Sequence, residues 1–156
     1  MFVGGKEIMR VVLQRCANAS CTIDGVKISE IDKGYCILVG FCDSDTEEIV
    51  HKMVKKIINL RIFEDENGKM NESILDQSGS VLSISQFTLY ANSKKGNRPS
   101  FIEAARPEKA IPLYDLFNEA LSYFVPVQTG RFGADMKIDL RNDGPVTIVL
   151  DSEVIF

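Results

Sequence analysis

The chain has 156 residues, 45% hydrophobic and 26% charged, an ordinary globular balance that suits one domain with a real core rather than two. Its formal net charge of −4 excludes a surface that attracts polyanions as a whole, so any contact with nucleic acid must be local.

The first eight residues precede a second methionine, Met9, and with Gly4 and Gly5 they read as a natural extension or a cloning remnant. The domain is placed at 9–156. Arg10 to Ala17 is strand-like, Ser20 to Ile23 follows, and Asp24-Gly25 is a hairpin signal returning the chain through Val26 to Ile31. Gly34 to Cys42 is an apolar run, expected to be a strand buried on both sides. It contains the longest apolar stretch, Cys36 to Cys42, which is far too short to span a bilayer.

Ser44 and Glu47 form an S-x-x-E capping box. Beyond it Ile49, Val50, Met53, Val54, Ile57 and Ile58 share one helical face, which predicts a helix up to about Leu60. Arg61 to Glu64 suggests a short strand, closed by Asp65-Glu66-Asn67-Gly68, and Asn71 to Gly79 shows no clear period. Ser80 to Tyr90 is a strand by composition. A second helix starts at Pro107 and carries Ala110, Leu113, Tyr114, Phe117, Ala120, Leu121 and Phe124 at helical spacing, with Pro112 weakening its first turn. Lys137 to Arg141 and Val146 to Leu150 are strands joined through Asp143-Gly144-Pro145. Strands flanking two helices, without repeats or linkers, make one α/β unit.

The four cysteines, Cys16, Cys21, Cys36 and Cys42, form no C-x-x-C pair and have no histidine nearby, which argues against zinc. Without a secretory signal they read as reduced thiols of a cytosolic protein. His51, the single histidine, falls at the polar edge of the first helix's apolar face, a surface position. A Ser-His-Asp or Cys-His device is then hard to build. No phosphate-binding glycine loop occurs, so nucleoside triphosphates and dinucleotides are not indicated. An enzyme built from this inventory works with hydroxyls, amides and backbone groups. Its substrate should be intrinsically labile or bring its own reactive group.

Two stretches set polar residues or an exposed turn against apolar strand sequence: Ser85-Gln86-Phe87-Thr88-Leu89-Tyr90, and Asn142 to Thr147 with Gly130 to Met136 before it. In a period-two strand, Gln86 and Thr88 are neighbours on one face. A buried amide or hydroxyl without a partner costs about 1 to 3 kcal/mol, so the two either pair internally and stiffen the sheet or await a ligand. Gly144-Pro145 reads as a hairpin turn whose carbonyls are free to point outward, and X-Pro statistics favour a trans bond. Lys94, Lys95 and Arg98, without an acid among them, make either a basic loop or a solvated turn.

From Met9 to Ser152 the chain resembles the D-aminoacyl-tRNA deacylases, also called D-tyrosyl-tRNA deacylases. The resemblance is carried by Met9 to Arg15, Asn59-Leu60-Arg61-Ile62-Phe63, Ser85 to Tyr90, Lys95-Gly96-Asn97-Arg98-Pro99-Ser100-Phe101, Gly130 to Met136 and Asn142 to Thr147, in order over nearly the whole chain. It implies a single compact α/β domain with a mostly antiparallel or mixed sheet layered with two main helices, and a homodimer with barrel-like sheet packing. The implied activity is hydrolysis of the ester joining a D-amino acid to the 3′ end of tRNA, without a metal or other cofactor, in the cytoplasm and away from membranes. Glycyl-tRNA, as when tRNA(Ala) is mischarged, is an implied side substrate.

The same resemblance makes Gly144-Pro145 a Gly-cis-Pro motif that enters the partner's pocket and rejects L-residues. Ser85, Gln86, Phe87 and Thr88 become the catalytic segment. Phe132 and Met136 become pocket wall, Arg15 the support of the Gly-Pro turn, and Lys94, Lys95 and Arg98 contacts to tRNA phosphates. Thr88 has no evident base to activate it as a nucleophile, so activation of water by the terminal 2′-hydroxyl fits the inventory better. Two other readings stand beside this one: a sister deacylase for mischarged L-alanyl-tRNA, and a non-catalytic protein that binds the tRNA acceptor end.

Overall fold

The structure, a computed structural model, describes residues 6–156. Residues 1–5 of the leading segment lie outside the described residues. The three that follow are pinned by hydrogen bonds: Ser44 Oγ donates to the Lys6 carbonyl, Ser152 Oγ to the Glu7 carbonyl at 2.7 Å, and the Tyr90 hydroxyl to the Ile8 carbonyl.

The architecture is organised around β1, Arg10–Ile23. Expected as two pieces, Arg10 to Ala17 and Ser20 to Ile23, the segment is one strand, because both halves find partners on both edges. On one edge lie β2, Val26–Ile31, and β3, Gly34–Gly40. The pairs Ala19–Ile31 and Cys16–Gly34 continue a single antiparallel register across the break between β2 and β3. Asp24 and Gly25 both take positive φ, +50° and +77°, as the tight hairpin requires. The other edge of β1 is taken by β8, Lys137–Asp151.

β3 also pairs in parallel with β6, Ser80–Ser85, and β6 with β7, Val127–Thr129. The six strands thus form one mixed sheet. The hairpin end curls until β2 approaches β6 and β7, nearly closing a barrel. A separate ribbon pairs β4, Phe63–Glu64, with β5, Met70–Glu72.

Two main helices cover one face. α1, Glu47–Asn59, buries all six apolar residues of its expected face. Its cap differs from the expected one: Thr46 Oγ1 accepts from the Ile49 amide at 3.3 Å, and Ser44 is engaged with Lys6 instead. α2, Pro107–Ser122, continues through Pro112, with Pro107 opening it where its missing N–H costs nothing. A short α3, Ser152–Ile155, ends the chain. None of the described helices is long and apolar enough to cross a membrane.

Two cores follow from this layering. Val11, Leu13, Tyr35, Ile37 and Val39 pack against α1 and α2, where a fully buried side chain such as Phe117 contributes about 1.5–3 kcal/mol. Inside the curl, Cys16, Cys21, Cys36, Leu82 and Ile84 pack with one another. β3 is covered on both faces, as its apolar run implied. All four cysteines are buried free thiols. Burial pushes the Cys16 thiol up to about 11 and that of Cys36 to about 12, so neither offers a thiolate at neutral pH.

Candidate active site

β6 leads directly into the first motif, but the strand ends at Ser85. Gln86 is still extended and donates its amide to the Val39 carbonyl at 2.8 Å, and Phe87–Tyr90 then closes into a 3-10 turn. The expected strand to Tyr90 is overturned for a packing reason. Tyr90 is buried, with its hydroxyl on the Gly40 carbonyl at 2.9 Å, and the turn settles on the end of β3. A Cβ at Gly40 would lie 2.8 Å from the Tyr90 ring and 2.9 Å from the Gln86 carbonyl, so only glycine admits this seat.

Gln86 and Thr88 are not period-two neighbours on a strand, because the strand ends at Ser85, yet the two do meet. Gln86 Nε2 donates to Thr88 Oγ1 at 2.5 Å. A carboxamide N–H cannot take a proton from that hydroxyl. The first amides of the 3-10 turn, those of Phe87 and Thr88, stand at its open N-terminal end, where a helical turn leaves donors free.

A cleft of about 300 Å³ opens here. Ser85, Gln86 and Phe87 line it together with Phe132, Asp135 and Met136, and Leu38, Ile84 and Ile138 add apolar lining. Gly130 makes room for one wall: a Cβ there would come within 2.3 Å of Met136 Sδ. Phe132 leans on Tyr114, ring centroids 6.4 Å apart, and the Tyr114 hydroxyl donates to the Ser83 carbonyl at 2.7 Å. The structure therefore brings five expected residues, Ser85, Gln86, Phe87, Phe132 and Met136, into one cleft. Asp135 belongs to the Gly130 to Met136 stretch without an assigned role, whereas Leu38, Ile84 and Ile138 carry no mark, because an apolar strand residue gives no sign in sequence of facing a cavity. Thr88 lies beside the cleft on the exposed side.

Gly144 and Pro145 line none of it. The expected hairpin is absent as well: both halves of β8 run antiparallel to the same strand, β1, and the segment between them is a bulge. Gln14 faces Thr147 and Cys16 faces Asn142, so residues 143–146 stand opposite Arg15 alone. The Gly144–Pro145 peptide is cis, against the general X-Pro preference and in keeping with the resemblance. Gly144 has φ +123°, and a Cβ there would sit 3.1 Å from the Arg15 guanidinium.

Arg15, 5% exposed, ties the bulge down. Its Nε donates to the Asp143 carbonyl at 3.1 Å and its terminal nitrogen to the Ile62 carbonyl at 2.7 Å, with the Asp143 carboxylate 3.6 Å away. Two of the guanidinium nitrogens are thus bonded, and a carboxylate stands beside its charge.

Lys94, Lys95 and Arg98 are exposed in a loop closed by the mutual hydrogen bonds of Asn92 and Ser100. Phe101 at its end meets Phe87 edge-on at 5.2 Å, which places the loop next to the cleft. His51 is exposed on α1, at the rim of a larger hollow of about 730 Å³ between α1 and α2. None of the expected site residues lies there.

A family model described as D-Tyr-tRNA(Tyr) deacylase matches residues 12–151. The chain belongs to the D-aminoacyl-tRNA deacylase family. This deacylase is 58% identical to a D-aminoacyl-tRNA deacylase of Limosilactobacillus reuteri strain DSM 20016 over 144 residues, 92% of this chain and 99% of that protein. It is also 58% identical to one from Bacteroides fragilis strain YCH46, over 93% of this chain and 98% of the other. Among solved structures, the deacylase is similar to one described as c-Myc DNA Unwinding Element Binding Protein, at 43% identity and TM-score 0.85, covering 90% of this chain and 97% of that one. A probable eukaryotic D-amino acid tRNA deacylase shares the fold at 19% identity and TM-score 0.81, with 92% and 99% covered. The enzyme is thus a hydrolase of D-aminoacyl-tRNA.

Proposed function

We propose that the deacylase is a chiral proofreader working as a homodimer, in which the Gly144–Pro145 bulge of one copy reaches into the cleft of the other and excludes L-residues. The observation that carries this reading is the separation of bulge and cleft within one chain. Gly144 and Pro145 are exposed and absent from their own cleft's lining, yet Arg15 holds them in a fixed pose. A rigid, exposed main-chain projection with nothing of its own chain to serve fits an isologous contact. β8 supports the pairing further: β1 is its only strand partner among the described residues, and Val149 stands 69% exposed on it.

Main-chain carbonyls occupying the space of an L-side chain act by steric exclusion. Each tenfold of discrimination requires about 1.4 kcal/mol, and a clash with a fixed backbone supplies several such factors. Glycine has no side chain to exclude, so glycyl-tRNA, including glycine mischarged on tRNA(Ala), is accepted.

Chemistry at the ester needs a nucleophile and a place for developing negative charge. The vicinal 2′-hydroxyl of the terminal adenosine orients and activates a water molecule, which adds to the carbonyl carbon. The amides of Phe87 and Thr88 receive the oxyanion, and the bond to the ribose 3′-oxygen breaks as that oxygen takes a proton. Gln86 orients Thr88, and Phe132 with Met136 shapes the wall. Lys94, Lys95 and Arg98 hold phosphates near the acceptor end, on the loop whose Phe101 meets Phe87. Four reduced, buried thiols suit the cytoplasm.

Sedimentation velocity of the purified protein tests the shared site. The expected species has twice the 17.4 kDa chain mass. A monomer that still separated D- from L-aminoacyl-tRNA would overturn the cross-subunit reading.

A further inference from the structure

The acidic balance of the chain conceals a basic face on α1. Lys52, Lys55 and Lys56 are exposed at spacings of three and four, hence on one side of the helix, and Arg61 follows just past its end. They surround a hollow of about 620 Å³ whose other lining is Asn59, Leu60 and Phe156. No Asp or Glu side chain lines it. Lys52 lies 3.6 Å from Glu48, so its charge is shared. Among the described residues, Lys55, Lys56 and Arg61 have no acid within ion-pair distance. A solvated helix face on a chain with 22 acids and 18 bases would carry both signs interspersed. The side chains lining this concavity carry one.

The patch also has a defined relation to the bulge. Ile62, next after Arg61, gives its carbonyl to Arg15, which holds Asp143. The segment just after α1 therefore lies beside the Gly144–Pro145 bulge, and none of the patch residues lines its own chain's cleft. If the bulge enters a second copy, the patch flanks that copy's cleft.

We infer that Lys55, Lys56 and Arg61, with Lys52, bind the phosphate backbone of the tRNA whose aminoacylated end occupies the second copy's cleft. The inference rests on the two-copy reading above. The charge is complementary to a phosphodiester chain: Arg61, its Nε held by the Asn71 carbonyl at 3.1 Å, offers its two terminal nitrogens, and the lysines offer compact charges. Leu60 and Phe156 provide an apolar floor against which a ribose can rest. Such contacts act on the body of the substrate and leave the reacting ester untouched.

The test is a triple variant, Lys55→Gln with Lys56→Gln and Arg61→Gln, assayed on full-length D-tyrosyl-tRNA and on D-tyrosyl-adenosine, with affinity for uncharged tRNA measured alongside. On the full tRNA at low salt, KM is expected to rise about tenfold with kcat unchanged, and the slope of log kcat/KM against log salt to flatten by roughly 2 to 3. Hydrolysis of D-tyrosyl-adenosine should not change. An unaltered KM on full-length tRNA would overturn the proposal, and so would equal losses on both substrates. Loss of binding to polyglutamate with unchanged tRNA kinetics would assign the patch to an acidic protein instead. A monomeric protein whose triple variant still lost tRNA affinity would sink the two-copy reading and leave the patch in place.

Discussion

Arg15 Nε and the Asp143 carbonyl are joined by a 3.1 Å hydrogen bond that fixes the bulge of β8 to β1. The same guanidinium reaches Ile62 at 2.7 Å, so one buried side chain spans the β8 bulge and the segment after α1. Arg15→Lys keeps the charge and loses the fork. The bulge should then be held less firmly. Hydrolysis of L-tyrosyl-tRNA is expected to rise at least tenfold, a loss of about 1.4 kcal/mol of discrimination, while the D-tyrosyl rate stays within about threefold. Single-turnover rates on both substrates provide the check.

Thr88 has a donor, not a base, as its partner in the Gln86 contact. Thr88→Ala is therefore expected to keep kcat within about fivefold of the parent, as suits a positioning role. A substrate ending in 2′-deoxyadenosine should be cleaved at least a hundredfold more slowly, because the activating hydroxyl is gone. The opposite pair of results would make Thr88 the nucleophile.

Gly34 lies where β3 pairs with β6, with φ +157°, and a Cβ there would sit 1.7 Å from the Ser80 carbonyl oxygen. No side chain can move aside to relieve a clash with backbone. Gly34→Ala should force the two strands apart and cost about 3 kcal/mol or more, read as a lower urea midpoint with little change in m-value.

Asp45 is fully buried and accepts the Cys42 amide at 2.8 Å. Burial raises its carboxyl to about 6, the Cys42 hydrogen bonds opposing the rise. The native protein then holds a proton between about pH 4 and 6 that the unfolded chain has released. Its contribution to stability is complete below pH 4 and is lost as pH rises through 6, on the order of 2–3 kcal/mol in all. Asp45→Asn should remove that dependence. In urea titrations, the stability of Asp45→Asn relative to the parent is expected to increase from pH 4 to 6.5, whereas parallel curves would contradict the assignment.

Much of this fold was legible because its signals are local. The Asp24-Gly25 turn, the apolar stripe of α1 from Ile49 to Ile58 and the double burial of β3 each follow from short-range pattern, and each stands in the structure. What was illegible depended on contacts distant in sequence. Ser85 to Tyr90 has strand composition, yet the chain bends after Ser85 because Tyr90 seats against Gly40, fifty residues earlier. Asp143-Gly144-Pro145 has turn composition, yet β1 binds the segments on both sides of it, which makes it a bulge. Ser44 has the spacing of a cap, but Lys6 claims its hydroxyl and Thr46 takes over. The cleft was half visible: its polar rim stood out against apolar strand, while Leu38, Ile84 and Ile138 looked like any other core residue.

The most direct measurement is the rate at which the purified protein deacylates matched D-tyrosyl- and L-tyrosyl-tRNA under identical conditions. If fixed main-chain carbonyls judge handedness, the D-ester is cleaved faster by several powers of ten and the glycyl ester is cleaved as well. Equal rates for the two enantiomers would contradict the account.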